Sequence, residues 1–206
     1  MSQPPSPEES RAPLRDDEIR ASTIGELAPL TGRISIMDYD AAWPRRYRRE
    51  AARLRATLRA RALRVEHVGS TSVPGLAAKP IIDILLVVAD SSDEAAYAPD
   101  MEAAGYVLRI REPHWYEHRV LKGPDTNINL HVFSLGCPEI ERMVVFRDWL
   151  RQDEGDRAVY EATKRGLAER DWKYVQNYAD AKTEIVESIM TRALAWAKGS
   201  GAAERG

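Results

Sequence analysis

Apolar positions from Trp43 to Ala62 recur at spacings of three and four: Trp43, Tyr47, Ala51, Leu54, Leu58, Ala62. That period places one apolar stripe along a helix. Asp40 stands where a helix N-cap is wanted, and Pro44 falls in the first turn, where a missing N–H is harmless. Ile34, Ile36 and Met37 predict a short lead-in strand, and Val65 to Val68 a second one. Pro80 to Ala89 is almost wholly apolar and rich in β-branched residues, the pattern of a central strand buried on both faces. Residues 93–104 read as a helix stopped by Gly105, with Pro99 as a point of kinking. Strands are expected at Tyr106 to Arg111, Trp115 to Leu121 and Asn127 to Ser134, the last two flanking the turn sequence KGPDT. Helical stretches over 139–152, 156–170 and 180–198 complete the chain. This order predicts an α/β (α+β) fold, a mixed sheet flanked by helices with a C-terminal helical segment.

Composition sharpens the boundaries. Residues 1–32 are rich in Pro, Ser, Glu and Arg and are expected to form a disordered tail. The domain is expected over 33–198, with a core over 33–136 and a helical tail over 137–198; residues 199–206 are expected to be a flexible C-terminus. The single cysteine, Cys137, has no internal disulfide partner, which points to a reducing, cytoplasmic setting. The first residues lack a basic, apolar leader pattern, and the most apolar run, Ile81 to Ala89, is too short to span a bilayer and contains Asp83. No membrane association is expected. The net charge of -2 does not suit a nucleic-acid binder, although nine arginines and one acid, Glu50, lie between Arg45 and Arg64. That arginine face is either an ordinary solvated helix face or a surface for RNA or an acidic partner.

The chemistry concentrates in Val65 to Val88. Gly69 allows backbone N–H groups to approach a phosphate, and Ser70, Thr71 and Ser72 add hydroxyl donors. Lys79 supplies a point charge for phosphate. Asp83, within an apolar strand, requires a cation, a metal or hydrogen-bond donors. An ordinary Gly-Ser turn and a structural ion pair are the plain alternatives. The segment is not a Walker A loop, because Pro80 follows the lysine and no second glycine precedes it within the motif spacing. His67 at the strand end and His131 in the LHVF strand are candidates for acid–base work. His114, His118 and Arg119 lie near the same cleft, with a structural role as the alternative. No His/Cys/Asp/Glu cluster has zinc spacing, and Gly69-Ser70 lacks the nucleophile-elbow form.

The string HVGSTSVPGLAAKPIIDI, His67 to Ile84, resembles the hallmark of the GrpB family. The resemblance extends to Tyr39–Pro44, Leu130–Phe133, Phe146–Arg151, Tyr160, Lys164, Leu167-Ala168, Tyr178 and Lys182, and covers about residues 34–197. It implies a nucleotidyltransferase-like core, in relatives that include fusions to dephospho-coenzyme A kinase. In the nucleotidyltransferase pattern, a Gly-Ser turn precedes a strand with two acids one residue apart, and a third acid joins from a neighbouring strand. Here the same-face neighbours of Asp83 are Ile81 and Leu85, and the neighbouring strand offers Asn127, Asn129 and His131, with no carboxylate. The resemblance thus implies a nucleoside triphosphate as substrate or ligand, and the incomplete acid set suits one weakly held Mg²⁺ on Asp83, or none. Asn129, Arg147 and Lys182 would join Gly69–Ser72 and Lys79 around the phosphates. The resulting expectation is nucleotidyl transfer to a small acceptor. The alternatives are a non-catalytic nucleotide- or partner-binding module and, through residues 45–64, RNA binding.

Overall fold

In chain order, the elements are α1 (Asp16–Ser22), α2 (Trp43–Leu58), β1 (Arg64–Val68), β2 (Ile82–Val88), α3 (Ala98–Ala103), β3 (Val107–Glu112), β4 (His118–Lys122), β5 (Ile128–Ser134), α4 (Pro138–Gln152), α5 (Glu154–Ala168), α6 (Val175–Asp180) and α7 (Thr183–Gly199). They come from a computed structural model that describes residues 12–199. The five strands form one sheet in the order β1-β2-β5-β4-β3. β2 and β5 run parallel at its centre, and every other pair is antiparallel. The fold is therefore mixed α/β, as the alternation of elements predicts. Among the described residues no helix is long and apolar enough to cross a membrane.

The pleat of β2 divides the molecule. Ile82, Ile84, Leu86 and Val88 point to one face, where Trp43, Ala51, Leu54 and Leu58 of α2 and Met101 of α3 cover them. This is the stripe read from the sequence, and burial of such side chains contributes about 1.5–3 kcal/mol each. The opposite face carries Asp83, Leu85 and Val87. Leu85 and Val87 pack with Phe133 and, beneath α4, with Ile140 and Val144. Asp83, at the start of the strand, lies outside that apolar cluster.

Several expectations change. The disordered tail is corrected within 12–32, while residues 1–11 lie outside the described residues. α1 buries Ile19, Thr23 bridges to Ile110 on the edge strand β3, and the Leu30 N–H donates to the Lys173 carbonyl at 2.8 Å. A few anchoring contacts hold a segment whose composition is polar overall. The lead-in strand reduces to a single bridge, Met37 to Ala78. Asp40 is not the N-cap of α2, a position held by Ala42; its carboxylate accepts the Ala42 N–H at 2.7 Å. The helix over 93–104 is a 3-10 turn, Glu94–Ala96, followed by α3, with Tyr97 between them donating its hydroxyl to the Ser91 carbonyl at 2.8 Å. The strand expected from Trp115 starts at His118, because Tyr116 and Glu117 adopt left-handed φ angles of 55° and 52°. The last helix, expected over 180–198, is α7, and the short helix α6 ahead of it was not expected.

Candidate functional site

Val68 ends β1 opposite Asp83, and the chain turns sharply at Gly69, where φ is 68°. A Cβ there would lie 2.3 Å from Asp83 Oδ2, so only glycine permits the turn and the close approach together. Ser70–Ser72 form a 3-10 turn. The Ser72 hydroxyl donates back to the Gly69 carbonyl at 2.5 Å, and Thr71 Oγ1 is 3.0 Å from His67 Nε2. Both side chains are buried and committed to the loop. Ser70 is the hydroxyl that meets the cleft, accepting a hydrogen bond from Lys164 Nζ at 3.1 Å.

His67 pairs with Ile84 and therefore faces α2, not Asp83. Its ring stacks on Tyr47 with centroids 4.7 Å apart. Burial pushes its pKa down to about 4, so it stays neutral near pH 7. This corrects the expectation of an acid–base role: the pleat turns the ring to the other side of the sheet, where it braces the Thr71 turn.

Asp83 is opposed by Asn129 across the parallel β2–β5 pair. Asn129 Nδ2 donates to Asp83 Oδ1 at 2.7 Å, and Asn129 Oδ1 accepts from Lys122 Nζ. An ammonium can only donate, which fixes the orientation of the amide. His131, two residues along β5, places Nε2 3.7 Å from the same Oδ1. The Asp83 side chain keeps 27% of its exposure and forms the floor of the candidate site. Burial alone would raise its pKa, but the neighbouring His131, Asn129 and Lys79 outweigh that and hold the carboxyl below its usual range. Behind His131 the polar chain continues. His118 Nε2 is 3.1 Å from His131 Nδ1, and His118 Nδ1 is 2.7 Å from Glu112 Oε2.

Above this floor stand three lysines. Lys79 precedes β2, Lys164 comes from α5, and Lys182 from the junction of α6 and α7. Lys164 Nζ donates to Ser70 and to the Ala77 carbonyl and sits 4.8 Å from the Tyr160 ring centre. Lys79 and Lys182 lie 5.1 and 4.9 Å from the ring centre of Tyr178. Among the described residues none of the three makes a salt bridge, and the buried Tyr178 hydroxyl has no hydrogen-bond partner. Burial, aided by repulsion from Lys182, lowers Lys164 to about 7 and Lys79 to about 8. Burial also lowers Lys182 and Lys122.

The structure thus brings together Gly69, Ser70, Lys79, Asp83, Asn129, His131 and Lys182. It turns Thr71, Ser72 and His67 away from the cleft. Arg147 is also placed elsewhere: it donates to the His67 carbonyl at 3.0 Å and to Glu66 at 2.9 Å and pairs with Asp148, tying α4 to β1. With those partners it has no role as a phosphate ligand. Lys122 and Glu112 were not foreseen as site residues. Lys122 reads locally as part of the KGPDT turn, and only the β4–β5 pairing brings it to Asn129.

A family model for the GrpB protein matches residues 33–192. The UPF0157 protein BH1888 of Halalkalibacterium halodurans is 58% identical over 93% of this chain and 99% of its own length. A protein named dephospho-CoA kinase from Mycolicibacterium paratuberculosis is 29% identical over 82% of this chain, a match that takes up 48% of that protein. The crystal structure of GrpB from Enterococcus faecalis superposes with a TM-score of 0.69 at 32% identity, covering 78% of this chain and 97% of the other. The hallmark string, the matched span and the shared fold agree: this chain belongs to the GrpB family.

Proposed function

We propose that the cleft binds a nucleoside triphosphate and serves nucleotidyl transfer to a small acceptor. The observation that carries this reading is the set of lysines 79, 164 and 182. They are gathered at a Gly-Ser turn, depressed in proton affinity and without a carboxylate partner among the described residues. A folded chain gains nothing from crowding unpaired ammonium groups, whereas a polyphosphate neutralises them and accepts their hydrogen bonds. The Ser70 hydroxyl and lysines 164 and 182 would hold the outer phosphates. Lys79 and Asp83 lie together at the strand start, the place for the reacting phosphate.

The donor set tests what metal this arrangement can take. Among the described residues no group of three His, Cys, Asp or Glu side chains converges, so a pair of metals bridged by protein carboxylates does not fit. One divalent ion shared between Asp83 and phosphate oxygens does, since such ions commonly take one or two carboxylates and complete their shell from the substrate. Bound there, the ion would draw charge from the reacting phosphate. The protein's own part would be to align the chain of phosphates and to neutralise the leaving pyrophosphate through lysines 164 and 182.

A second reading, binding without turnover beside a partner enzyme, draws on the single carboxylate and on the module's place within a protein named dephospho-CoA kinase. The arginine face offers less for RNA: Arg46, Arg49, Arg53, Arg61 and Arg64 all pair with local carboxylates. The test is a thermal-shift panel of ATP, CTP, GTP, UTP and inorganic triphosphate with Mg²⁺, Mn²⁺ or EDTA, followed by a pyrophosphate-release assay on any nucleotide that binds. Stabilisation by triphosphates with pyrophosphate release supports transfer. Stabilisation without release favours the binding module, and no stabilisation by any phosphate compound rejects the site.

A further inference from the structure

Glu112, His118, His131 and Asp83 form one line of contacts across β3, β4, β5 and β2. Glu112 and His118 are both buried. A carboxylate can only accept, so His118 Nδ1 carries the hydrogen that faces Glu112. With His118 neutral, its Nε2 accepts the Nδ1–H of His131 across the 3.1 Å contact. His131 Nε2 thus faces Asp83, and in that tautomer its lone pair is available to an ion, which would take the place of the hydrogen that Nε2 otherwise directs at the carboxylate. The 3.7 Å between that nitrogen and Asp83 Oδ1 is beyond hydrogen-bond range. It suits two ligands of one ion, because donors each about 2.1 Å from a metal stand up to about 4.2 Å apart.

We propose that Asp83 Oδ1 and His131 Nε2 are two legs of a divalent-ion site that favours a first-row transition ion over Mg²⁺, with His118 and Glu112 as positioning residues behind the imidazole. A histidine that binds metal through one nitrogen and donates from the other to a buried acceptor is the ordinary second layer of such sites. An imidazole nitrogen in the donor set selects against Mg²⁺, which takes oxygen ligands. Asn129 steadies Asp83 from the other side, and Lys122, engaged on Asn129, is drawn away from the carboxylate. Lysines 79 and 182 oppose a cation in the free protein, so the ion and a polyphosphate should strengthen each other's binding reciprocally. Only that coupling rests on the function proposed above; the two protein ligands do not.

The test is pulsed electron paramagnetic resonance on the full chain with Mn²⁺ alone and with Mn²⁺ plus inorganic triphosphate. Nitrogen modulation from one directly bound imidazole is expected, abolished in His131→Gln. Calorimetry on Glu112→Gln should show Mn²⁺ affinity reduced about tenfold with the modulation retained, as expected of a positioning residue. Mg²⁺ should compete poorly with Mn²⁺. Modulation with Mn²⁺ alone, in protein that fails to bind triphosphate, upholds the metal site while removing the nucleotide reading. Triphosphate and Mn²⁺ bound together with no nitrogen modulation in the wild-type chain overturns the site and leaves the nucleotide reading standing.

Discussion

Arg147 and Lys164 both descend from the C-terminal helices onto the segment from Glu66 to Ala77, and both are nearly buried, at 9% and 2% exposure. Arg147 is met by Glu66, Asp148 and the His67 carbonyl. Lys164 donates to neutral oxygens, of Ser70 and Ala77, and makes no salt bridge among the described residues; burial, aided by Lys182, lowers its proton affinity. The difference separates two uses of buried charge. A cation that holds the fold together is neutralised where it sits, and one that serves a ligand is left short of an anion. Lys79 and Lys182 repeat the second pattern around Tyr178.

Gly69 joins the two regions, and changing it should blur them most. Gly69→Ala should destabilise the protein by about 3 kcal/mol through its backbone conformation alone. It should also abolish triphosphate binding by displacing Asp83, both effects readable in one thermal-shift series with and without ligand. Arg147→Met should cost about 2–3 kcal/mol in urea unfolding, because it strips the His67 carbonyl of its donor and leaves Glu66 and Asp148 with one arginine fewer each. Its affinity for triphosphate should stay at the wild-type level. Lys164→Met reverses the balance: stability should change by less than about 1 kcal/mol, while triphosphate affinity falls on the order of tenfold to a hundredfold.

The smallest effect is a pH slope. Lys164 and Lys79 titrate at about 7 and about 8 in the folded protein, against an ordinary lysine value of 10.5. Between about pH 7 and pH 10.5 the unfolded chain therefore holds more protons, and folding stability should rise as pH rises across that window. The rise should be shallower in Lys164→Met. A wild-type slope equal to that of the variant would count against the depressed lysine.

Much of this arrangement was legible along the chain. The stripe of α2 and the apolar run of β2 identify the covered face of the sheet, because helix and strand periods are local properties. Asp83 stands out for the same reason, as a charge inside that run. What was not legible depends on pairing register. His67 and Asp83 both lie in the hallmark string, yet the antiparallel β1–β2 register sends them to opposite faces. Lys122 and Glu112 join the site only through β4 and β3, whose alignment no local pattern specifies. Arg147 and Lys164 look alike in sequence, as basic residues on predicted helices. What tells them apart is that Arg147 makes salt bridges to two carboxylates and Lys164, among the described residues, makes none. The ordered segment over residues 12–32 was missed because Ile19 and Leu30 are isolated apolar residues in a polar stretch, with no period to mark them.

The central claim is that lysines 79, 164 and 182 form a polyphosphate cradle. The most direct measurement is calorimetric titration of the wild-type chain with inorganic triphosphate at pH 8, in two buffers of different ionisation enthalpy. A bound anion restores the lysines' affinity for protons, so binding should take up on the order of one proton, and the uptake should shrink in Lys164→Met. Binding with no proton uptake, or no binding at all by the folded protein, would contradict the cradle.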